Sequence, residues 1–224
     1  MLIKTNEVAE LLAVEEKVVF KWIEKEGLPA TMVNGTYRMN RLDLLEWATD
    51  NNIKVPPQLF VTVKTETRVA TLAEALEAGG IFFGVPGNDR LSVLRNSVKL
   101  INLPPQMDPD LLFQVLVARE AMGTTAIGRG IAIPHIRNPI QMNSLSPAIS
   151  LCFLEQPVEF GALDGIPVKI LFVLSSPNVK EHLHLLSRLA YALRVDSFVS
   201  TLNPFSNSDS ILTAAKMIDQ EISN

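Results

Sequence analysis

The chemistry-bearing residues of this chain gather around one imidazole. His135 closes the run "GTTAIGRGIAIPH", in which a glycine- and hydroxyl-rich loop leads into a short apolar stretch and a proline. Backbone N–H groups of such a loop can face an anion, and the apolar stretch fixes the ring that follows it. A histidine that attacks phosphorus must be neutral and held in one orientation. It also needs a cation for the transferring group and donors for the equatorial oxygens. An ordinary imidazole, with a reference pKa of about 6.5, is neutral often enough at cellular pH. Arg119, near the end of the preceding helical segment, is the candidate cation. Thr124 and Thr125 open the loop as candidate phosphate-binding residues, and His182 is a candidate hydrogen-bond donor. Gly123 and Gly128 have the spacing of a nucleotide-binding P-loop, but Arg129-Gly130 stands where a Lys-Ser/Thr pair is required, so no nucleotide site is expected.

The other histidines separate by helical phase. In "VKEHLHLLSRLAYAL", His182 and His184 are two positions apart and point to nearly opposite sides at about 100° per residue. His182 shares a face with Leu185, Leu186, Leu189 and Leu193, turned toward the body of the domain. His184 shares the wetter side with Ser187, Arg188 and Tyr191. They do not converge on one ion, so neither a metal nor a cofactor is expected. Cys152 is the single cysteine, which excludes internal disulfides and a thiolate cluster; inside the run "AISLCFLEQ" it reads as core.

The elements that must position these residues alternate. "TLAEALEAGG" reads as a short helix stopped by Gly79-Gly80, "IFFGV" as an apolar strand, and "PGND" as a turn that caps the helix "DRLSVLRNSVKLINL". The next helix, "DPDLLFQVLVAREAM", has Asp108 as cap and Pro109 at its first position. "AISLCFLEQ" and "VKILFVLSS" are apolar runs of strand length, and "SDSILTAAKMIDQEIS" is a terminal helix. Strands interleaved with helices predict an α/β fold, a sheet covered by helices.

Composition sets outer bounds. A chain of 224 residues suits about two compact domains, and 47% hydrophobic with 20% charged residues describes a globular protein. A net charge of −4 provides no basic blanket for nucleic acid and no polybasic anchor, so any nucleic-acid contact must come from a local patch. No apolar stretch reaches the ~18 residues of a spanning helix, and "MLIKTNEVAE" lacks the features of a signal peptide. A cytoplasmic protein with no membrane insertion is expected.

The first fifty residues read differently. A helix from Thr5, with Asn6 as cap, presents Val8, Ala9, Leu11 and Leu12; a second, "EEKVVFKWIEKEG", presents Val18, Val19, Trp22 and Ile23 and ends at Gly27. "LPATMVNGTYRM" is a hairpin around Asn34-Gly35, and "NRLDLLEWATDNN" a third helix packing Leu42, Leu45 and Trp47. The segments "NEVAELLAV", "VVFKWIEKEGLPA" and "GTYRMNRLDLLEW", over residues 2–50, resemble the winged helix-turn-helix of the excisionase and MerR-like DNA-binding family. That resemblance implies that the second helix reads the major groove with Lys17, Lys21 and Lys25, and that Arg38 and Arg41 lie near the wing. Glu15-Glu16 depart from the family's serine and basic residues. Pro56-Pro57 end helical structure. The expected division is a helix-turn-helix domain over residues 1–55, a linker over 56–70 and a second domain over 71–224.

The second domain carries its own resemblance. "LLFQVLVAREAMGTTAIGRGIAIPHIR", "VEFGALDGIPVKILFVLSSP" and "EHLHLLSRLAYAL" are similar to the phosphotransferase system IIA domain of the fructose/mannitol type and its nitrogen-regulatory branch, across residues 72–222. This implies a IIA-type mixed sheet covered by helices, with His135 phosphorylated by a phosphocarrier of the HPr type. His182 would be the second active-site histidine and Arg119 the phosphate-supporting arginine. Where the family usually has glycine after the histidine, this chain has Ile136 and Arg137. The combination implies a regulator in which phosphorylation of His135 changes DNA binding or partner choice, with possible homodimerisation. Two alternatives stand beside it: a non-transferring adaptor acting on a kinase or transporter, and a carrier that donates to a separate IIB protein.

Overall fold

The computed structural model describes residues 2–33, 35–40, 43–44, 47–48, 51, 53, 69–103, 107–136 and 146–223. The chain divides into two compact units, Met1–Thr65 and Glu66–Asn224. The expected linker lies largely outside the described residues, as do Asn34, Arg41, Leu42, Leu45 and Arg137.

In the first unit, β1 (Leu2–Lys4) precedes the helices α1 (Thr5–Leu12) and α2 (Glu16–Lys25). The backbone of Ala13 turns into the left-handed region at φ 53°, and Thr5 Oγ1 donates to Glu16 Oε1 across the turn at 2.6 Å. Lys4, not Asn6, occupies the cap position of α1, because β1 runs directly into the helix. The hairpin forms from β2 (Thr31–Val33) and β3 (Thr36–Asn40), and β1 adds to it, giving the antiparallel order β1-β3-β2. Asp43, Leu44, Trp47 and Ala48 are helical. Trp22 and Trp47 meet at 5.2 Å between ring centroids, and Trp47 Nε1 donates to the carbonyl of Glu26 at 2.8 Å. Val8, Val19, Leu28, Met39 and Leu44 complete this core.

The second unit starts with α3 (Leu72–Gly79), capped by Thr71, followed by β4 (Ile81–Val85). Asp89 caps α4 (Arg90–Leu100), and Asp108 caps α5 (Pro109–Ala121) with Pro109 in the first turn. Three short or central strands follow: β5 (Ala126–Gly128), β6 (Ile131–Ala132) and β7 (Ala148–Val158). Then come β8 (Val168–Ser175), α6 (Val179–Ala192), the single turn α7 (Asp196–Val199) and α8 (Ser208–Ser223). The sheet has the order β4-β7-β8-β6-β5: β4 is parallel to β7, β7 antiparallel to β8, β6 parallel to β8 and β5 antiparallel to β6.

Both faces of this sheet are covered, which is why β7 and β8 read as continuous apolar runs. Cys152, Leu154, Leu171 and Val173 join Val93 and Val98 of α4 and Leu112 and Leu116 of α5 in one cluster. The alternate residues Leu151, Phe153, Phe172 and Leu174 are equally buried, and α3 packs on β7 and α6 on β8. Each fully buried large side chain contributes about 1.5–3 kcal/mol. Gly79 is a glycine because a Cβ there would lie 2.3 Å from the backbone of Ile149. Asp219 of α8 ties three helices together: it accepts the Leu72 and Ala73 N–H groups, each at 2.9 Å, and Arg188 Nη1 of α6 at 2.5 Å.

Candidate functional site

The sheet places His135. Past β6 the chain continues alongside β8: His135 pairs in parallel with Leu174, and the Leu174 N–H donates to the Pro134 carbonyl at 2.9 Å. On the other side the β5–β6 hairpin extends by one bond, from Ile133 N–H to the Thr125 carbonyl at 3.0 Å. The apolar run "IAIP" is thereby clamped between two strands. All of Ile131–Ile136 is buried.

The tautomer of His135 follows from one described partner at each ring nitrogen. Nδ1 lies 2.7 Å from the carbonyl oxygen of Ile133, which can only accept, so Nδ1 carries the proton. Nε2 lies 3.3 Å from Arg119 Nε, which can only donate, so Nε2 holds the lone pair. Arg119 is fixed by a second bond, Nη1 to the Gly123 carbonyl at 3.0 Å. The His182 ring stands 5.3 Å from that of His135, tilted by 46°. Its two nitrogens are buried and have no hydrogen-bond partner among the described residues. Burial first, then the electrostatic influence of the neighbouring His135 and Arg119 side chains, holds the pKa of His182 well below the ordinary imidazole value, so its ring is neutral. A neutral ring keeps one N–H donor available.

His135 is 3% exposed. The strand pairing that fixes the ring also covers it, and the Arg119 side chain stands over Nε2. His184 and Ser187 were expected on a wet side of α6. Ser187 is buried instead, because α3 and α8 pack against the helix opposite β8. His184 accepts from Arg188 Nε at 2.9 Å and bonds the Ala70 backbone. Burial, followed by the Arg188 charge, lowers its pKa to about 4. It belongs to the Arg188–Asp219 tie, away from His135 by helical phase.

Thr124 and Thr125 have their hydroxyl protons committed within the fold. Thr124 Oγ1 donates to the Phe160 carbonyl at 2.6 Å, and Thr125 Oγ1 donates to Glu120 Oε2 at 2.6 Å. The Thr125 N–H also faces the Glu120 carboxylate, at 3.1 and 3.3 Å. Glu120 is the residue that sequence reasoning missed. Its signal was adjacency to Arg119 on a helix about to enter the loop, with hydroxyl residues four and five positions on. Asp164 was missed as well. It accepts the Arg129 N–H at 2.7 Å and the Ile166 N–H at 3.1 Å, which lower its pKa, and it braces the two-residue turn of the β5–β6 hairpin. That turn needs positive φ at both positions, 56° at Arg129 and 75° at Gly130.

In the first unit, Lys17, Lys21 and Lys25 are all on exposed positions of α2. Lys17 Nζ lies 2.6 Å from Glu15 and Lys21 Nζ 2.8 Å from Glu26. Arg38 sits half-buried on β3, paired in register with Lys4 and Thr31. Arg41 lies outside the described residues. Cys152 is fully buried, and burial pushes its thiol up to about 11. Among the described residues no cluster of three or more His, Cys, Asp and Glu forms a cation site, and no helix is long and apolar enough to cross a membrane.

Comparison with known proteins agrees with this architecture. The family model described as "Phosphoenolpyruvate-dependent sugar phosphotransferase system, EIIA 2" matches residues 74–216, and a helix-turn-helix domain model matches residues 2–52. A nitrogen regulatory protein of Pseudomonas aeruginosa is 41% identical over 125 residues, which is 54% of this chain and 79% of that protein. The fructose-specific EIIABC component of Bacillus subtilis is 25% identical over 152 residues, 66% of this chain but 24% of that protein. Among solved structures, the nitrogen regulatory protein IIA-Ntr from Neisseria meningitidis superposes with a TM-score of 0.56 at 27% identity, covering 64% of this chain and 98% of that one. The IIA mannitol protein of Escherichia coli shares the fold with a TM-score of 0.52 at 22% identity, covering 62% and 96%. Its second unit being matched along nearly its whole length, the chain belongs to the EIIA 2 family of the phosphoenolpyruvate-dependent sugar phosphotransferase system.

Proposed function

We propose that this protein takes a phosphoryl group onto His135 Nε2 from the phosphohistidine of a small carrier protein of the HPr type, and that the charge so gained regulates what the helix-turn-helix unit binds. The reading rests on one observation above all, the Nδ1–Ile133 hydrogen bond at 2.7 Å, which leaves Nε2 as the only nitrogen with a lone pair. In the transfer, that lone pair forms the new N–P bond as the donor's N–P bond breaks, and the donor imidazole keeps the electron pair. The proton stays on Nδ1, donated to the Ile133 carbonyl, whose oxygen offsets the positive charge that develops in the ring. Arg119 turns from Nε2 to the phosphoryl oxygens, and neutral His182 donates its N–H to another. Thr124 and Thr125 serve the phosphate by holding the loop, since both hydroxyl protons are taken within the fold.

A phosphohistidine adds about 1.5–2 negative charges at one place, as phosphorylation does generally. A relative named as a nitrogen regulatory protein supports a regulatory output over bulk sugar phosphorylation. Lys17, Lys21, Lys25 and Arg38, with Arg41, are the proposed DNA contacts. The pairing of Lys17 with Glu15 and of Lys21 with Glu26 favours a second reading, an adaptor whose first unit engages protein. Transfer of radiolabel from phosphoenolpyruvate through enzyme I and HPr tests the first claim. The wild-type chain labels and His135→Ala does not; equal labelling of the two would overturn it. An electrophoretic shift with and without phosphorylation, on the chain's own promoter region, separates the regulator from the adaptor.

A further inference from the structure

A cavity of about 600 Å³ opens on the second unit between the first turn of α4, the last turns of α5 and the end of β7. Its size falls within the range of small-molecule sites. Leu91, Leu94, Val117 and Val158 give it an apolar wall, and four charged residues meet there: Asp89, Arg90, Glu120 and Glu159.

The charges do not balance, and most are already committed. Arg90 Nη1 lies 3.4 Å from Glu120 Oε1, and its guanidinium stands 5.8 Å over the Phe160 ring. Asp89 accepts the Ser92 N–H at 2.8 Å as the cap of α4. Glu159 is exposed and has no ion-pair partner among the described residues. With Arg90 and Glu120 cancelling, Asp89 and Glu159 leave the rim negative. An anionic guest would meet two carboxylates. A cation would meet complementary charge beside an apolar surface.

We propose that this cavity binds a small organic cation, an alkyl ammonium or guanidinium whose aliphatic stem lies on Leu91, Leu94, Val117 and Val158 and whose charge faces Glu159 and Asp89. The site communicates with the histidine loop through Glu120. That carboxylate is buried in the cavity wall, yet it accepts both the N–H and the hydroxyl of Thr125 and is the chain neighbour of Arg119. A cation near it competes with Arg90 and Thr125 for the same two oxygens, so occupancy alters the clamp on the loop that carries His135.

The test uses the full chain, ¹⁵N-labelled, with n-hexylamine as probe and n-hexanoate as the oppositely charged control. Hexylamine shifts the amide signals of Leu91, Val117 and Glu159 saturably and moves Thr125 with the same midpoint, whereas hexanoate leaves them unchanged. Glu159→Gln weakens binding about threefold to fivefold, as for a partly exposed charge pair. Leu91→Trp puts bulk on an exposed rim position and removes binding, while the remaining spectrum stays that of a folded protein. Absence of saturable shifts, equal binding of hexanoate, or undiminished binding by Leu91→Trp would overturn the site. Cavity shifts without Thr125 would overturn the communication. Because no phosphoryl donor is present, failure of this binding and failure of His135 to accept phosphate are read separately.

Discussion

The Nε–H of Arg119 points at the Nε2 lone pair of His135 across 3.3 Å, so the cation proposed to steady the phosphoryl group also covers the nitrogen that must attack it. Under the proposed transfer the arginine swings aside first and returns to the oxygens afterwards. Arg119→Ala uncovers the nucleophile but removes the charge, and the second effect is the larger. Its labelling rate from phosphorylated carrier falls about 10²–10³-fold, the cost typical of losing one preorganised donor. Arg119→Lys keeps charge without the two-point hold on Gly123 and His135, and falls between. Rapid-quench measurement of label transfer checks both; a rate near wild type for Arg119→Ala would exclude this role.

Thr125→Val tests the clamp on the loop. The substitution deletes the 2.6 Å hydroxyl bond to Glu120 and leaves a buried carboxylate short of one donor. A loss of about 1–3 kcal/mol in urea denaturation follows. The ¹⁵N shifts of the His135 ring should move as well, since Thr125 is bonded through its carbonyl to Ile133, whose own carbonyl holds Nδ1.

Asp219→Ala tests the tie between helices. It removes the acceptor of the Leu72 and Ala73 N–H groups in the first turn of α3, which Thr71 still caps, and leaves Arg188 in a largely covered position without its carboxylate. Losing one partner of a buried pair costs about 3–5 kcal/mol, and the two unsatisfied amides add to that. Asp219→Asn keeps an acceptor for the α3 amides and costs less. Urea midpoints of the two variants rank them.

Acid weakens the second unit through its buried imidazoles. The folded pKa values of His182 and His184 both lie below the unfolded value of about 6.5, well below for the first and at about 4 for the second. Below pH 6.5 the unfolded chain therefore takes up protons that the folded chain refuses. Stability is full above that pH and falls steadily as the pH drops toward 4. Urea denaturation between pH 8 and pH 4.5 follows this slope. His184→Gln flattens it, whatever the variant's stability at neutral pH.

Charge variants in α2 test the DNA reading of the first unit. Lys25→Ala weakens binding about equally for all sequences and reduces the salt-dependence slope by about one. Glu15→Gln does the reverse, because it removes a carboxylate and releases Lys17 from a 2.6 Å pair on an open face. Titrations at two salt concentrations show both effects.

Much of this architecture was legible in local chemistry. Asp89 and Asp108 marked helix starts, Gly79-Gly80 a helix end, and the apolar runs of β7 and β8 a covered sheet. Long-range partners were not legible. β1 is three residues long, too short for any period to show, and it exists because Leu2 pairs with Asn40. The turn at Arg129 has only Gly130 as a local signal; it is held by Asp164, thirty-five positions on. The imidazole, the arginine and the second histidine were each identifiable by type. That Ile133 would select the tautomer, that Glu120 would brace the loop, and that the ring would be covered all depend on strand register, which the amino-acid order does not display.

Cys152 lies at the middle of β7, sealed on both faces, with its thiol shifted to about 11. Alkylating reagents attack thiolates, so the native protein should ignore them at neutral pH. Modification then waits on rupture of the β7–β8 ladder. Since the chain has no other cysteine, the rate at which a maleimide attaches is a clock for opening of the phosphocarrier-like half alone, readable in a mixture without purification of either unit.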